Sequence, residues 1–418
     1  MIADEKKAMT LEQVWNNFQP SRVLPPGSAF YVPRDSEDMK RPQFALKRAS
    51  GQEKWYLIGH RGCGKSTFLQ LLLSLEEVQT KFHPILYRIS DVANSNDLEH
   101  QEIIFSVASQ LIEEGQKLDA IGEKLAKRLE NWGRELVETV ANNENAAVNV
   151  KGGLSAFFAG FEGKLQTQHS TRKEFRRTLE PQIDDLIDII NDVTVALESK
   201  VAKPVIVAID DLDKISPAKA DELFENYLIP LEKPACHLIY TLPVALMHKP
   251  AWTNLRHRAW YVPNIKLHGR NDRKDRSDKG HDFIRTLIFK RMDEPLISNE
   301  ALDAVITYGG GVFAQTCILM QTAAEYAEIR GKDAIGLTEV LTAVAELRDG
   351  LRTQLTEKNL ATLKAVSEDN GKQLGFESYT LLHNLSLLRY PNENHWHDVN
   401  PVLWEIVDDY EPQTTPNS

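Results

Sequence analysis

The stretch that most constrains this chain is Gly59-His-Arg-Gly-Cys-Gly-Lys65-Ser66, set between a short apolar run, Lys54-Trp-Tyr-Leu-Ile-Gly59, and a helical pattern, Thr67-Phe-Leu-Gln-Leu-Leu-Leu73. Strand, glycine-rich turn and helix in that order fit the spacing GxxxxGK[ST]. Glycines allow backbone N–H groups to turn inward around a β-phosphate, and the helix that follows presents its positive end. Lys65 is expected to neutralise the β- and γ-phosphates, and the Ser66 hydroxyl to hold Mg²⁺. Gly59, His60, Arg61, Gly62, Cys63, Gly64, Lys65, Ser66 and Thr67 are therefore expected to bind a nucleotide, ATP with Mg²⁺. A helix N-terminus also lowers thiol pKa, so Cys63 is expected to be oxidant-sensitive without being catalytic.

Such a loop needs an acidic partner at the end of another strand, because Mg²⁺ requires a second anchor across the sheet. Val205-Ile-Val-Ala-Ile-Asp210-Asp211-Leu-Asp213 supplies it. Asp210 is the expected metal anchor, and Asp211 the group that polarises an attacking water. Asp213 fits a catalytic part as well as it fits a helix cap. Asp211 stands where many ATPases carry Glu, and its shorter arm predicts slow turnover. Thr241, at the end of Cys236-His-Leu-Ile-Tyr-Thr241, is placed to reach the γ-phosphate or the lytic water. Arg256 and Arg258 precede the strand-like Ala259–Lys266 and are candidates to reach a neighbouring subunit's nucleotide, against the plainer reading of surface ion pairs.

Strands alternating with helices predict an α/β fold on a parallel sheet. Residues 1–53, with Pro20, Pro25, Pro26, Gly27, Pro33 and Pro42, read as an extended N-terminal arm. The core is expected over 54–266, with an insertion at about 120–200 in which Ala146–Phe161 reads as a hairpin. A helical lid follows over 267–350, punctuated by Gly309-Gly-Gly311. Residues 351–410 pair a helix with apolar runs flanking Pro391-Asn-Glu-Asn394, a winged-helix-like module, and 411–418 form a polar tail.

Charge bears on partners. The 418 residues carry 49 Lys+Arg against 60 Asp+Glu, a net −11, which excludes a surface built throughout for nucleic acid. From Glu346 onward 12 acids stand against 6 bases, which moves the expectation for the tail module from DNA toward protein. Lys266–Lys279 interleaves six bases with three acids and reads as a solvated loop. His395-Trp-His397-Asp398 reads as cross-strand packing rather than a metal set. Three scattered cysteines, the absence of a long apolar run and a polar start predict a cytoplasmic protein without a membrane span.

These residues resemble the P-loop NTPases of the AAA+, STAND and KAP group. The similarity lies in the strand, loop and helix at 54–73, the DDLD block ending at Asp213, Tyr240-Thr-Leu-Pro243 and the helices near 281–350. DDLD is similar to the acidic motif of KAP NTPases, and a helical lid followed by a winged helix resembles STAND proteins and the origin-recognition type of AAA+ ATPase. The resemblance implies a three-layer α/β fold, ATP and Mg²⁺ as cofactors, and ATPase activity used as a nucleotide-dependent switch. It also implies a homo-oligomer or a protein partner such as an effector, in bacterial members often in antiviral defence. Two alternatives stand beside it: a DNA-loading initiator, and a non-hydrolysing adaptor with structural nucleotide. One departure is visible. Such lids often carry an arginine shortly after the Gly-Gly turn, and Gly309-Gly-Gly-Val-Phe-Ala314-Gln315 offers none.

Overall fold

The computed structural model describes residues 5–141, 162–163, 165–369, 371, 374, 378–391 and 395–411. The expected hairpin at Ala146–Phe161 lies outside them. The chain forms two compact units, one of Met1–Met39, Gly59–Phe68 and Tyr261–Ser418, the other of Lys40–Ile58 and Leu69–Trp260.

The five-stranded sheet consists of β1 (Lys54–Gly59), β2 (His83–Arg88), β3 (Val205–Asp210), β4 (His237–Pro243) and β5 (Ala259–Val262), in the order β2-β3-β4-β1-β5. β2 and β3 run parallel from His83↔Val205 to Arg88↔Asp210, and β4 pairs parallel with β3 from Ile206↔His237 to Ile209↔Tyr240. Every residue of β1, β3 and β4 is buried, which is why these segments read as continuous apolar runs rather than alternating ones. The polar break at Asp210 therefore marks the carboxyl end of β3.

Helices His100–Lys117 and Ile183–Val201 pack together beside the sheet. An ion-pair group ties helix His169–Leu179 to them. Arg176 donates to Glu102 at 2.7 Å and to Asp97 at 3.0 Å, and Arg172 donates to Asp97 at 3.0 Å. Burial pushes the Glu102 carboxyl up to about 7, with Arg176 pulling the other way.

The first unit holds the helices Asp278–Phe289, Asn299–Tyr308, Phe313–Ile329 and Leu337–Arg352. The stretch read as an extended arm is partly helical: Leu11–Asn17 and Glu37–Arg48 are helices. Thr10 starts the first by accepting from the Gln13 N–H, which its proline-poor sequence then continues. The second forms despite Pro42, which removes one backbone donor from its interior. The arm is laid on the lid helices through the Ala8↔Met292 bridge and an Asn17 side-chain bond to the Arg291 carbonyl of 2.8 Å.

After helix Glu357–Glu368 and the short helix Tyr379–His383 comes an antiparallel hairpin, β6 (Leu387–Tyr390) with β7 (Trp396–Val399), paired from Leu387↔Val399 to Tyr390↔Trp396. Leu388, Tyr390 and Trp396 form a fully buried cluster with Val312. His397 lies opposite Arg389, and Asp398 is held by Arg273 at 2.8 Å. Arg273 also stacks over Trp404, 4.7 Å from the ring centre. The segment read as a solvated loop is thus pinned by its arginine. No helix of the described residues is long and apolar enough to cross a membrane.

Candidate functional site

The phosphate-type loop lies in the first unit. Gly62 and Gly64 hold positive φ angles of 75° and 91°, the left-handed region in which glycine is unstrained. The helix Lys65–Ser74 starts at once, so Ser66 and Thr67 occupy its first turn. Lys65 is buried, and its Nζ donates to the Gly59 carbonyl at 3.0 Å and the His60 carbonyl at 2.8 Å. The loop is therefore closed around its own lysine.

Three segments grip it. The Ala314 N–H donates to the Gly62 carbonyl at 3.1 Å, and a Cβ added at Gly62 would meet the Ala314 Cβ at 2.4 Å. The start of helix Phe313–Ile329 is therefore pressed on the loop. From the arm, Arg34 donates to the Cys63 carbonyl at 2.9 Å and the Pro263 carbonyl at 2.9 Å, with its guanidinium 4.8 Å from the Phe313 ring centre. Burial lowers the Arg34 pKa, with Cys63 and Tyr31 opposing. The Leu24 N–H donates to the Thr67 hydroxyl at 3.2 Å. From the hairpin, the Arg389 N–H donates to His60 Nε2 at 2.8 Å. His60 is buried, and burial together with the Lys65 and Arg389 charges lowers its pKa to about 3. Arg61 is exposed. Cys63 is 1% exposed, so an oxidant has no path to it despite its helix-start position.

The acidic block lies in the second unit. Asp210, Asp211 and Asp213 are all buried, and their carboxylate oxygens lie within 4.8 Å of one another. Three carboxylates gathered out of water offer the oxygen ligands that a hard divalent cation takes. The loop fits the opposite charge. It combines a helix start, a buried lysine and two left-handed glycines, with Arg34 bonded to its Cys63 carbonyl. Asp211 takes a left-handed backbone, φ 70° and ψ 4°. Its Oδ2 accepts from the Ser90 hydroxyl at 2.8 Å and lies 2.8 Å from Lys214 Nζ.

Thr241 is wholly buried and donates to the Ile209 carbonyl at 3.3 Å, one residue before Asp210. Arg258 pairs with Glu232 at 2.8 Å, and its guanidinium lies 5.5 Å from the Tyr56 ring centre. Arg256 is exposed, and its Nε donates to the neighbouring His257 at 3.3 Å. Arg34, Ala314, Ser90, Lys214 and Arg389 belong to no sequence motif. A signal existed only for Lys214, three residues beyond Asp211, and for Ser90, the polar residue ending an apolar run.

An apolar strand, a glycine loop on a helix start and an acid-tipped strand in a parallel sheet are now all in place. Residues 41–227 match the model of the AAA ATPase domain. The matched residues contain the phosphate loop and all three clustered aspartates. Thr241, Arg256 and Arg258 lie beyond the match. No curated protein matches the chain. Among solved structures, Cdc6p from Pyrobaculum aerophilum is similar over 94% of this chain and 96% of its own, with 13% identity and a TM-score of 0.42. Drosophila ORC bound to DNA is similar over 97% and 93%, with 10% identity and a TM-score of 0.43. The RuvB Holliday junction branch migration motor of Thermotoga maritima is similar over 90% and 96%, with 12% identity and a TM-score of 0.33.

Proposed function

We propose that this chain binds ATP with Mg²⁺ on Gly59–Thr67 and hydrolyses it slowly, as a nucleotide-dependent switch or oligomerising regulator in a multiprotein assembly. The observation that carries this reading is the loop itself, two left-handed glycines and a buried lysine at a helix start, in a chain that also ends β3 in buried aspartates. In this reading Ser66 and Asp210 hold Mg²⁺, which when bound neutralises charge on the phosphates. Asp211 orients and deprotonates water, Asp213 supports the acidic set, and Thr241 fixes the strand end beside Asp210. Slow turnover is supported by the short Asp211 side chain and by its two partners on one oxygen.

Arg256 is the better candidate to act on a neighbouring copy, since Arg258 is engaged inside its own unit. The DDLD block supports a place near the KAP and STAND branches, and with it a protein partner such as an effector, in the setting of antiviral defence. The DNA-loading alternative has less support, because Arg273 is engaged by Asp398 and acids outnumber bases from Glu346 onward. The test is calorimetric titration of the full chain and its Lys65→Ala variant with ATP·Mg²⁺, with molecular mass measured in both states. Micromolar binding lost in Lys65→Ala is expected. Equal binding by both would overturn the proposal, and bound ATP that is never hydrolysed would turn it toward an adaptor.

A further inference from the structure

Asp211 is held more tightly than a water-activating carboxylate needs to be. The turn that follows it closes through the Lys214 N–H, which donates to the Asp211 carbonyl at 3.1 Å. That turn fixes the Lys214 stem, and its ammonium returns to Asp211 Oδ2 at 2.8 Å. The same oxygen accepts from the Ser90 hydroxyl. The carboxylate is 6% exposed and the lysine side chain 43% exposed, so the pair is buried at the acid and open at the base. An oxygen already shared by an ammonium and a hydroxyl is a poor acceptor for a proton from water. The left-handed backbone at Asp211 leaves that side chain with a restricted choice of directions.

We propose that Lys214 is a positioning residue that holds Asp211 in a resting arrangement, so that withdrawal of its ammonium sets the hydrolysis rate. The inference rests on the ATPase reading above. It assigns slow turnover to a specific ion pair rather than to side-chain length alone. Lys214 is 43% exposed, so the ammonium can leave without unfolding the turn, whereas Ser90 is fixed in the short helix Ile89–Val92 that follows β2.

The test measures ATP·Mg²⁺ turnover and the affinity for a non-hydrolysable ATP analogue on the full chain. The proteins compared are wild type, Lys214→Met, Lys214→Gln and Lys214→Arg, with thermal melting to establish that each is folded. Lys214→Met and Lys214→Gln are expected to raise kcat at least about threefold while KM and analogue affinity stay within about twofold. Lys214→Arg, which restores the charge, is expected to return kcat toward wild type. If both uncharged variants bind the analogue but turn over no faster than wild type, the inference is overturned and the ATPase reading stands. If wild type itself binds no nucleotide, the parent reading fails first. Should one uncharged variant be unfolded, the other decides.

Discussion

The backbone N–H of Arg389 donates to Nε2 of His60, joining strand β6 of the C-terminal hairpin to the second residue of the phosphate loop at 2.8 Å. The bond requires a neutral imidazole with a free lone pair on that nitrogen. Burial, with Lys65 and Arg389 nearby, supplies it by lowering the pKa to about 3, while a backbone hydrogen bond at Leu382 acts the other way.

The first prediction follows from that bond. The folded pKa of His60 lies below the unfolded value near 6.5, so between the two the unfolded chain binds a proton that the folded chain refuses. Its contribution to stability is complete above about pH 6.5 and is lost as the pH falls toward 3. Chemical denaturation at pH 7 and pH 5 is expected to show wild type losing about 2 kcal/mol more than His60→Asn, which keeps an acceptor but has no titrating ring. Equal losses in the two proteins would exclude this role for His60.

Gly62 is a second point of leverage. An alanine there would strain a φ of 75° and drive a Cβ into Ala314. Gly62→Ala is expected to lower stability by about 2 kcal/mol and to weaken ATP binding. Pairing it with Ala314→Gly should recover the steric part of the stability loss and leave the backbone part. Thermal melting of the two single variants and the double one measures the split, and a double variant no better than Gly62→Ala would show that the lid does not press on the loop.

The two arginines before β5 should separate. Arg258 holds Glu232 and covers Tyr56, although it is partly open to water. Arg258→Ala is expected to cost about 1 kcal/mol of stability, mostly through lost packing on the ring. Arg256→Ala should leave the melting temperature unchanged and lower ATPase only in samples concentrated enough to assemble. A concentration-independent effect of Arg256→Ala would argue against action on a neighbouring copy.

The fold class was legible because β1, β3 and β4 are buried throughout, and a wholly buried strand reads as an unbroken apolar run that a polar residue can end only at its tip. The loop was legible because phosphate geometry demands glycines and a lysine at fixed spacing. What surrounds the loop was not. Arg34 reaches Cys63 from 29 positions away and Arg389 reaches His60 from 329, and no local pattern records such pairings. Prolines signal breaks in a sequence, and for that reason the arm's helices leave little trace there, although Glu37–Arg48 accommodates Pro42 in its interior. Arg258 was ambiguous for a related reason: an exposed-looking arginine in sequence finds a buried tyrosine and a glutamate only in three dimensions.

The assignment of one Mg²⁺ to both Ser66 and Asp210 makes the sharpest demand. If each side chain helps hold the same ion, removing either one weakens Mg²⁺-dependent nucleotide binding, and removing the second afterwards weakens it little further. Independent contributions would instead add. Ser66→Ala and Asp210→Asn are each expected to reduce ATP affinity about tenfold in Mg²⁺ and far less in EDTA, where the metal plays no part. The double variant should fall short of the summed loss by about 1 kcal/mol or more. Asp211→Asn serves as the contrast, because the residue assigned to water should lower kcat and leave Mg²⁺-dependent affinity intact. Strict additivity of Ser66→Ala and Asp210→Asn, measured by titration in both buffers, would separate the two residues and return Asp210 to the acidic cluster it forms with Asp211 and Asp213.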